Sequence, residues 1–188
     1  MNNVLVPVAD GSEEMEAVIT IDVLRRAGAD VCVASVMDNR KIVTASRGVR
    51  IEADCLISEC TAKTWDLIAL PGGMPGAEHL QHCATLITLA RTQLESKRPL
   101  AAICAAPAVA LGRNGLIAEF TATCHPNFTK ELAQYTGHVV TGEPVVADRH
   151  LITSQGPGTA MQFALTLVAT LFDDNKAKEV ADAMVTAW

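Results

Sequence analysis

The residue with the most chemistry around it is Cys104, which ends the apolar run Leu100-Ala101-Ala102-Ile103 and stands three positions before Pro107. Such a run reads as a buried strand, and a proline at that distance suits the first turn of a helix. A thiol perched on a sharp strand-to-helix turn has the mechanics of a nucleophile elbow. Ala102, Ala105 and Ala106 keep the space beside it small enough for the backbone to crowd in. The positive end of the following helix would favour the thiolate. Taken alone, the pattern equally fits a small buried hydrophobe, the usual fate of a free cysteine.

Glu16 shifts that balance. On a helix over residues 12–27 it shares a stripe with Ile19, Val23 and Ala27, whereas Asp22 and Arg26 lie on another side. A carboxylate on an apolar stripe is costly unless protonated or paired. The expectation is a neutral carboxylic acid that donates a hydrogen bond to the Cys104 thiolate. Glu13 and Glu14 read as ordinary acidic residues complementing the helix N-terminus. After the run Asp66–Leu70, Gly72-Gly73 could turn backbone N–H groups toward a cavity and, with the Ala105 N–H, form an oxyanion hole. An ordinary turn explains two glycines just as well. His125, held extended by Pro126, is the candidate imidazole partner of the thiol. Gly156-Pro157-Gly158-Thr159 lacks the third glycine of a dinucleotide fingerprint and any following GK[ST], so Pro157 is expected to open a helix that lines the pocket.

These residues need a scaffold. Runs at 4–9, 31–36, 66–70, 100–103 and 151–153 read as strands buried on both faces. Helical patterns at 12–27, 86–96, 107–112, 159–171 and 176–186 lie between or after them. Strand–helix alternation implies an α/β sandwich, mainly parallel, with helices on both faces, and residues 38–55 add a small β-hairpin excursion. With 188 residues and no linker or repeat, a single domain over 1–188 is expected. Lys and Arg number 15 against 21 Asp and Glu, a net charge of −6, which argues against nucleic-acid partners. No apolar run approaches a membrane span, and residues 1–14 do not read as a signal peptide. The six cysteines, at 32, 55, 60, 83, 104 and 124, form no CxxC pair. Reduced thiols in the cytoplasm are expected, and neither a disulfide framework nor a metal site.

GSEEMEAV at 11–18, LPGGMPGAE at 70–78, AAICAAPA at 101–108, His125-Pro126 and TSQGPGT at 153–159 together resemble the DJ/ThiJ/PfpI superfamily, and within it the parkinsonism-associated, ThiJ-like branch. The resemblance implies a flavodoxin-like sandwich, a homodimer, a nucleophilic Cys104 and a protonated Glu16. Gly72, Gly73 and Ala105 would be the anion-holding backbone groups, His125 would stand in the pocket with Glu13 and Pro157, and Arg26 would contact the partner subunit. It also implies glyoxalase III-type or protein deglycase chemistry on methylglyoxal-like α-dicarbonyls, or on their adducts with thiols and amines, without metal, glutathione or other cofactor. The alternative is a redox-sensing chaperone that acts through oxidation of Cys104 without turnover. Some positions depart from relatives: Ala105 stands where the protease branch has histidine, Asn127 where amidotransferases have an acid, and Glu52 where the parkinsonism-associated branch has an oxidisable cysteine. No complete Cys–His–acid triad is visible, which disfavours peptide or amide hydrolysis.

Overall fold

A computed structural model describes residues 2–188. The chain runs β1 (Asn3–Val8), α1 (Glu14–Arg26), β2 (Asp30–Ser35), β3 (Ile42–Thr44), β4 (Arg50–Glu52) and β5 (Cys55–Leu56). A 3-10 turn, Ile57–Cys60, leads to β6 (Leu67–Leu70), α2 (Gly76–His82), α3 (Ala84–Glu95) and β7 (Leu100–Ile103). A π-helical segment, Pro107–Gly112, follows, then β8 (Thr121–Ala122), α4 (Thr129–Leu132), β9 (His138–Val139) and β10 (Val145–Asp148). The chain finishes with β11 (Leu151–Ser154), α5 (Ala160–Leu171) and α6 (Asp174–Ala183).

Seven strands form the central sheet in the order β10-β11-β7-β6-β1-β2-β5. All neighbours are parallel except β10 and β11. The continuous apolar runs arise because alternate residues enter different cores. Val4, Val6 and Val8 pack on one face with residues of α1, α5 and α6. Leu5 packs on the other with residues of α2, α3 and the π-helical segment. Leu67/Ala69 against Ile68/Leu70, and Ala101/Ile103 against Leu100/Ala102, divide in the same way.

The expected hairpin is present, with β3 and β4 antiparallel in a sheet of their own. Sequence reading missed α2, whose seven residues start after Pro75, and the antiparallel edge strand β10. It also missed β5, only two residues long. Short elements carry too few residues to display a period. No helix among the described residues is long and apolar enough to cross a membrane.

Phe163 on α5 is the largest fully buried side chain of the core facing α1. Phe163→Ala should lower unfolding free energy by about 3–5 kcal/mol through the cavity it leaves, measured by urea denaturation.

Candidate functional site

The parallel topology brings the segments after β1, β6, β7 and β11 to one end of the sheet, where α/β proteins gather their sites. Cys104 follows β7 with φ at +65°, the left-handed region that non-glycine residues seldom occupy. Its backbone is clamped on both sides: its N–H donates to Ser154 O at 3.0 Å, and its carbonyl accepts from His125 N–H at 2.9 Å. The sharp turn expected from the sequence is therefore held by β11 and by the His125 segment, and Cys104 keeps 9% of its surface exposed.

Glu13 caps α1, with its carboxylate accepting the Glu16 N–H at 2.8 Å. Glu16, in the first turn of α1, is fully buried. Its Oε2 accepts the Gly72 N–H at 2.7 Å, while Oε1 has no hydrogen-bond partner. Gly72 was expected among the amides that hold an anion at the thiol, but its N–H is committed to Glu16. The amides that bear on the sulfur are those of Gly73 and Ala105. Gly72 is also required for closeness, since a Cβ there would fall 2.7 Å from Cys104 Cβ and 2.9 Å from Ala105 N. Gly73 has φ +84° and packs against the backbone of residues 11–13, so the turn also braces the start of α1.

Burial pushes the Glu16 carboxyl up to about 7, against the pull of the Gly72 N–H and the Cys104 thiol. Burial also pushes the Cys104 thiol up to about 12; the negative charge of Glu16 adds to this, and the Gly73 and Ala105 amides oppose it. Two charges cannot coexist in so dry a site. While Glu16 is ionised, Cys104 therefore keeps its proton; the expected arrangement, a thiolate beside a neutral Glu16, requires the proton to move to the carboxyl. When the proton sits on Glu16, that repulsion vanishes, and the two amides work against the burial that still raises the thiol.

His125 Nδ1 accepts the Asn127 N–H at 3.2 Å. The neutral imidazole then carries its proton on Nε2 and is a donor there. The thiol opens into a cleft of about 270 Å³ lined in part by Glu13, Gly73, Ala105, His125 and Pro157. Arg26 is not there: it pairs with Asp22 at 2.6 Å on the exposed side of α1.

Sequence reading missed other walls of the cleft, namely Ser46, Arg47, Met74 and Phe128. Glu14 brings two of them in. Its buried carboxylate accepts from Ser46 Oγ and Arg47 N–H, each at 2.7 Å. Burial alone would raise its pKa, but these and further hydrogen bonds hold it below the usual range. A third acidic residue at a helix start carries no sign of such a distant partner. The thiols are also less scattered than their spacing suggests, since Cys32, Cys55 and Cys60 converge away from the cleft. There, hydrogen bonds from Cys60 and Cys55 draw the Cys32 thiol down to about 6, although burial opposes them. Cys124 instead hydrogen-bonds to the His125 carbonyl.

A carboxyl raised from 4.5 to about 7 on folding makes the folded state bind its proton more tightly. Its contribution to stability is complete below about pH 4.5 and is lost as pH rises through about 7. Glu16→Gln keeps an oxygen for the Gly72 N–H but cannot titrate. Over that interval the wild-type protein should lose about 3 kcal/mol of unfolding free energy relative to Glu16→Gln, as read from denaturant titrations across the pH range. A constant difference would mark Glu16 as an ordinary carboxylate.

Residues 2–170 match the DJ-1/PfpI family. The chain is 47% identical over 182 residues to protein DJ-1 homolog B of Arabidopsis thaliana, covering 97% of this chain but only 41% of that protein. It is 36% identical over 184 residues to glutathione-independent glyoxalase DJR-1.2 of Caenorhabditis elegans, covering 98% and 95% of the two chains. The solved structure of oxidized Toxoplasma gondii DJ-1 superposes over the whole of both chains with a TM-score of 0.94 at 44% identity. The mainly parallel sheet, the helices around it and this extent of matching together make the chain a member of the DJ-1/PfpI family.

Proposed function

We propose that the protein is a cysteine-dependent glyoxalase that converts small α-dicarbonyls such as methylglyoxal to 2-hydroxy acids. The observation that carries this reading is the buried Glu16 carboxyl, raised to about 7 beside the Cys104 thiol, a group able to take up and return a proton at neutral pH next to the nucleophile. The glyoxalase name of the Caenorhabditis elegans relative supports it.

In the proposed sequence the Cys104 proton passes to Glu16 and the thiolate sulfur bonds to the aldehyde carbon of the substrate. The resulting hemithioacetal oxygen is negative where the Gly73 and Ala105 amides can stabilise it. Glu16 returns its proton to that oxygen, and the resulting carboxylate removes the former aldehyde C–H. The enediolate so formed takes this proton back from Glu16 at the neighbouring carbon, while the hydroxyl proton on the former aldehyde carbon moves to the neighbouring oxygen. This internal transfer oxidises one carbon to a thioester and reduces its neighbour to an alcohol, so no external oxidant or reductant is needed. Water cleaves the thioester, releasing the hydroxy acid and restoring the thiol. His125, with its proton on Nε2, serves as a hydrogen-bond donor to substrate oxygen, so the proton-accepting work falls to Glu16. A cleft of about 270 Å³ suits a three-carbon substrate or the exposed end of an adduct, and removal of free dicarbonyl would also reverse early thiol and amine adducts.

Three further readings accompany this one. Met15 and Val18 are exposed apolar residues on α1, the helix that carries Arg26, which supports a homodimer built on that helix. Six free thiols suit a reducing compartment such as the cytoplasm. A redox-sensing role rests on the exposure of Cys104 at the cleft and on the oxidized state named for the Toxoplasma gondii relative. Oxidation of the sulfur to a sulfinate by two equivalents of hydrogen peroxide, each reduced to water, would set its oxygens beside the Gly73 and Ala105 amides and the proton of Glu16.

Incubation with methylglyoxal and quantification of lactate separates turnover from sensing. Cys104→Ser should yield no lactate, and Glu16→Gln should lower kcat by about 100-fold or more. Lactate formation by Cys104→Ser at the wild-type rate would overturn the assignment.

A further inference from the structure

The cluster of Cys32, Cys55 and Cys60 lies outside the cleft and takes no part in the chemistry above. Strands β2 and β5 are parallel neighbours with Ala34 opposite Cys55. Cys32, two residues before Ala34, therefore points to the same face of the sheet as Cys55. The 3-10 turn Ile57–Cys60 folds back and delivers the third sulfur from a buried position, anchored by the Trp65 Nε1–H on the Cys60 carbonyl at 3.2 Å. The Cys32 and Cys55 sulfurs stand 3.4 Å apart and those of Cys55 and Cys60 3.5 Å apart, with all three within 4.8 Å of one another.

We infer that these three cysteines form a binding site for one soft monovalent d10 cation, Cu(I), in trigonal all-sulfur coordination. Metal–sulfur bonds of about 2.3 Å in a trigonal plane put the sulfurs about 4.0 Å apart, so the sulfurs need to move by only a fraction of an ångström. Three thiolates from a rigid sheet edge and a short turn select a soft ion. A tetrahedral ion such as Zn(II) would want a fourth ligand, and the neighbouring carboxylates are engaged. Asp54 Oδ2 accepts from Val33 N–H at 2.8 Å and from Arg25, and Glu59 Oε1 accepts from Leu56 N–H at 2.7 Å. No fourth histidine, cysteine or acidic ligand joins the group among the described residues. Cys32 and Cys55 are half-buried, which leaves the ion a way in. Binding converts thiols to thiolates and releases their protons to solvent, with no change in oxidation state.

The test is an anaerobic titration of the fully reduced chain with Cu(I) held by the chromogenic chelator bicinchoninate, followed by alkylation and peptide mapping. The chain should withdraw one Cu(I) that Cys104→Ser retains and Cys55→Ser loses. Peptide mapping of the copper-loaded wild-type chain should find Cys32, Cys55 and Cys60 shielded from alkylation while Cys83 is labelled. This mapping needs no substitution, so a folding defect in Cys55→Ser cannot mimic it. Failure to withdraw copper, loss of the ion in Cys104→Ser, or labelling of the three clustered thiols in the loaded chain would each overturn the site. None of these results bears on lactate formation, which depends on Cys104.

Discussion

A carboxyl group sealed from water organises the active end of this molecule. Glu16 has one oxygen on the Gly72 N–H and the other without a hydrogen-bond partner, so the group is comfortable only when it holds a proton or hands its charge to a neighbour. That constraint dictates much around it. The turn after β6 must bring Gly72 against both Glu16 and Cys104, which leaves no room for a Cβ. Glu13 must cap α1 so that Glu16 falls in its first turn, and Cys104 must accept a left-handed backbone to face the carboxyl.

The surroundings convert this electrostatic tension into a usable proton. Burial raises both groups, yet only one charge is tolerated between them, so moving the proton from sulfur to carboxyl leaves the total charge unchanged. The Gly73 and Ala105 amides then stabilise negative charge at the sulfur side. Glu14 works at a different level. By gathering Ser46 and Arg47 it ties the hairpin region to the start of α1 and closes one wall of the cleft. Three acidic residues at one helix start, Glu13, Glu14 and Glu16, thus have separate duties, namely capping, loop anchoring and proton exchange.

Much of this was legible beforehand, for identifiable reasons. Five central strands and the helices α1, α3 and α5 were readable because long buried segments show their periodicity. Cys104 and Glu16 were readable because each violates a local rule: a reactive atom at a strand end, and a charge on an apolar stripe. Arg47, Met74 and Phe128 left no such mark, since loop residues reach the cleft through contacts distant in sequence. The destination of the Gly72 N–H was equally hidden, because a glycine pair announces a turn without saying which acceptor it meets.

The amino-acid order by itself determined the parallel α/β class, the elbow at Cys104 and the anomalous position of Glu16, all of which follow from local periodicity and residue type. Only the tertiary structure decided which of the two buried groups gives up its proton first, because desolvation depends on everything packed around them. It also decided that Cys32, Cys55 and Cys60 meet: two adjacent strands and a returning turn bring together sulfurs whose spacing of 23 and 5 residues conveys nothing. Pairing register and burial are properties of the assembled sheet, and no window of sequence contains them.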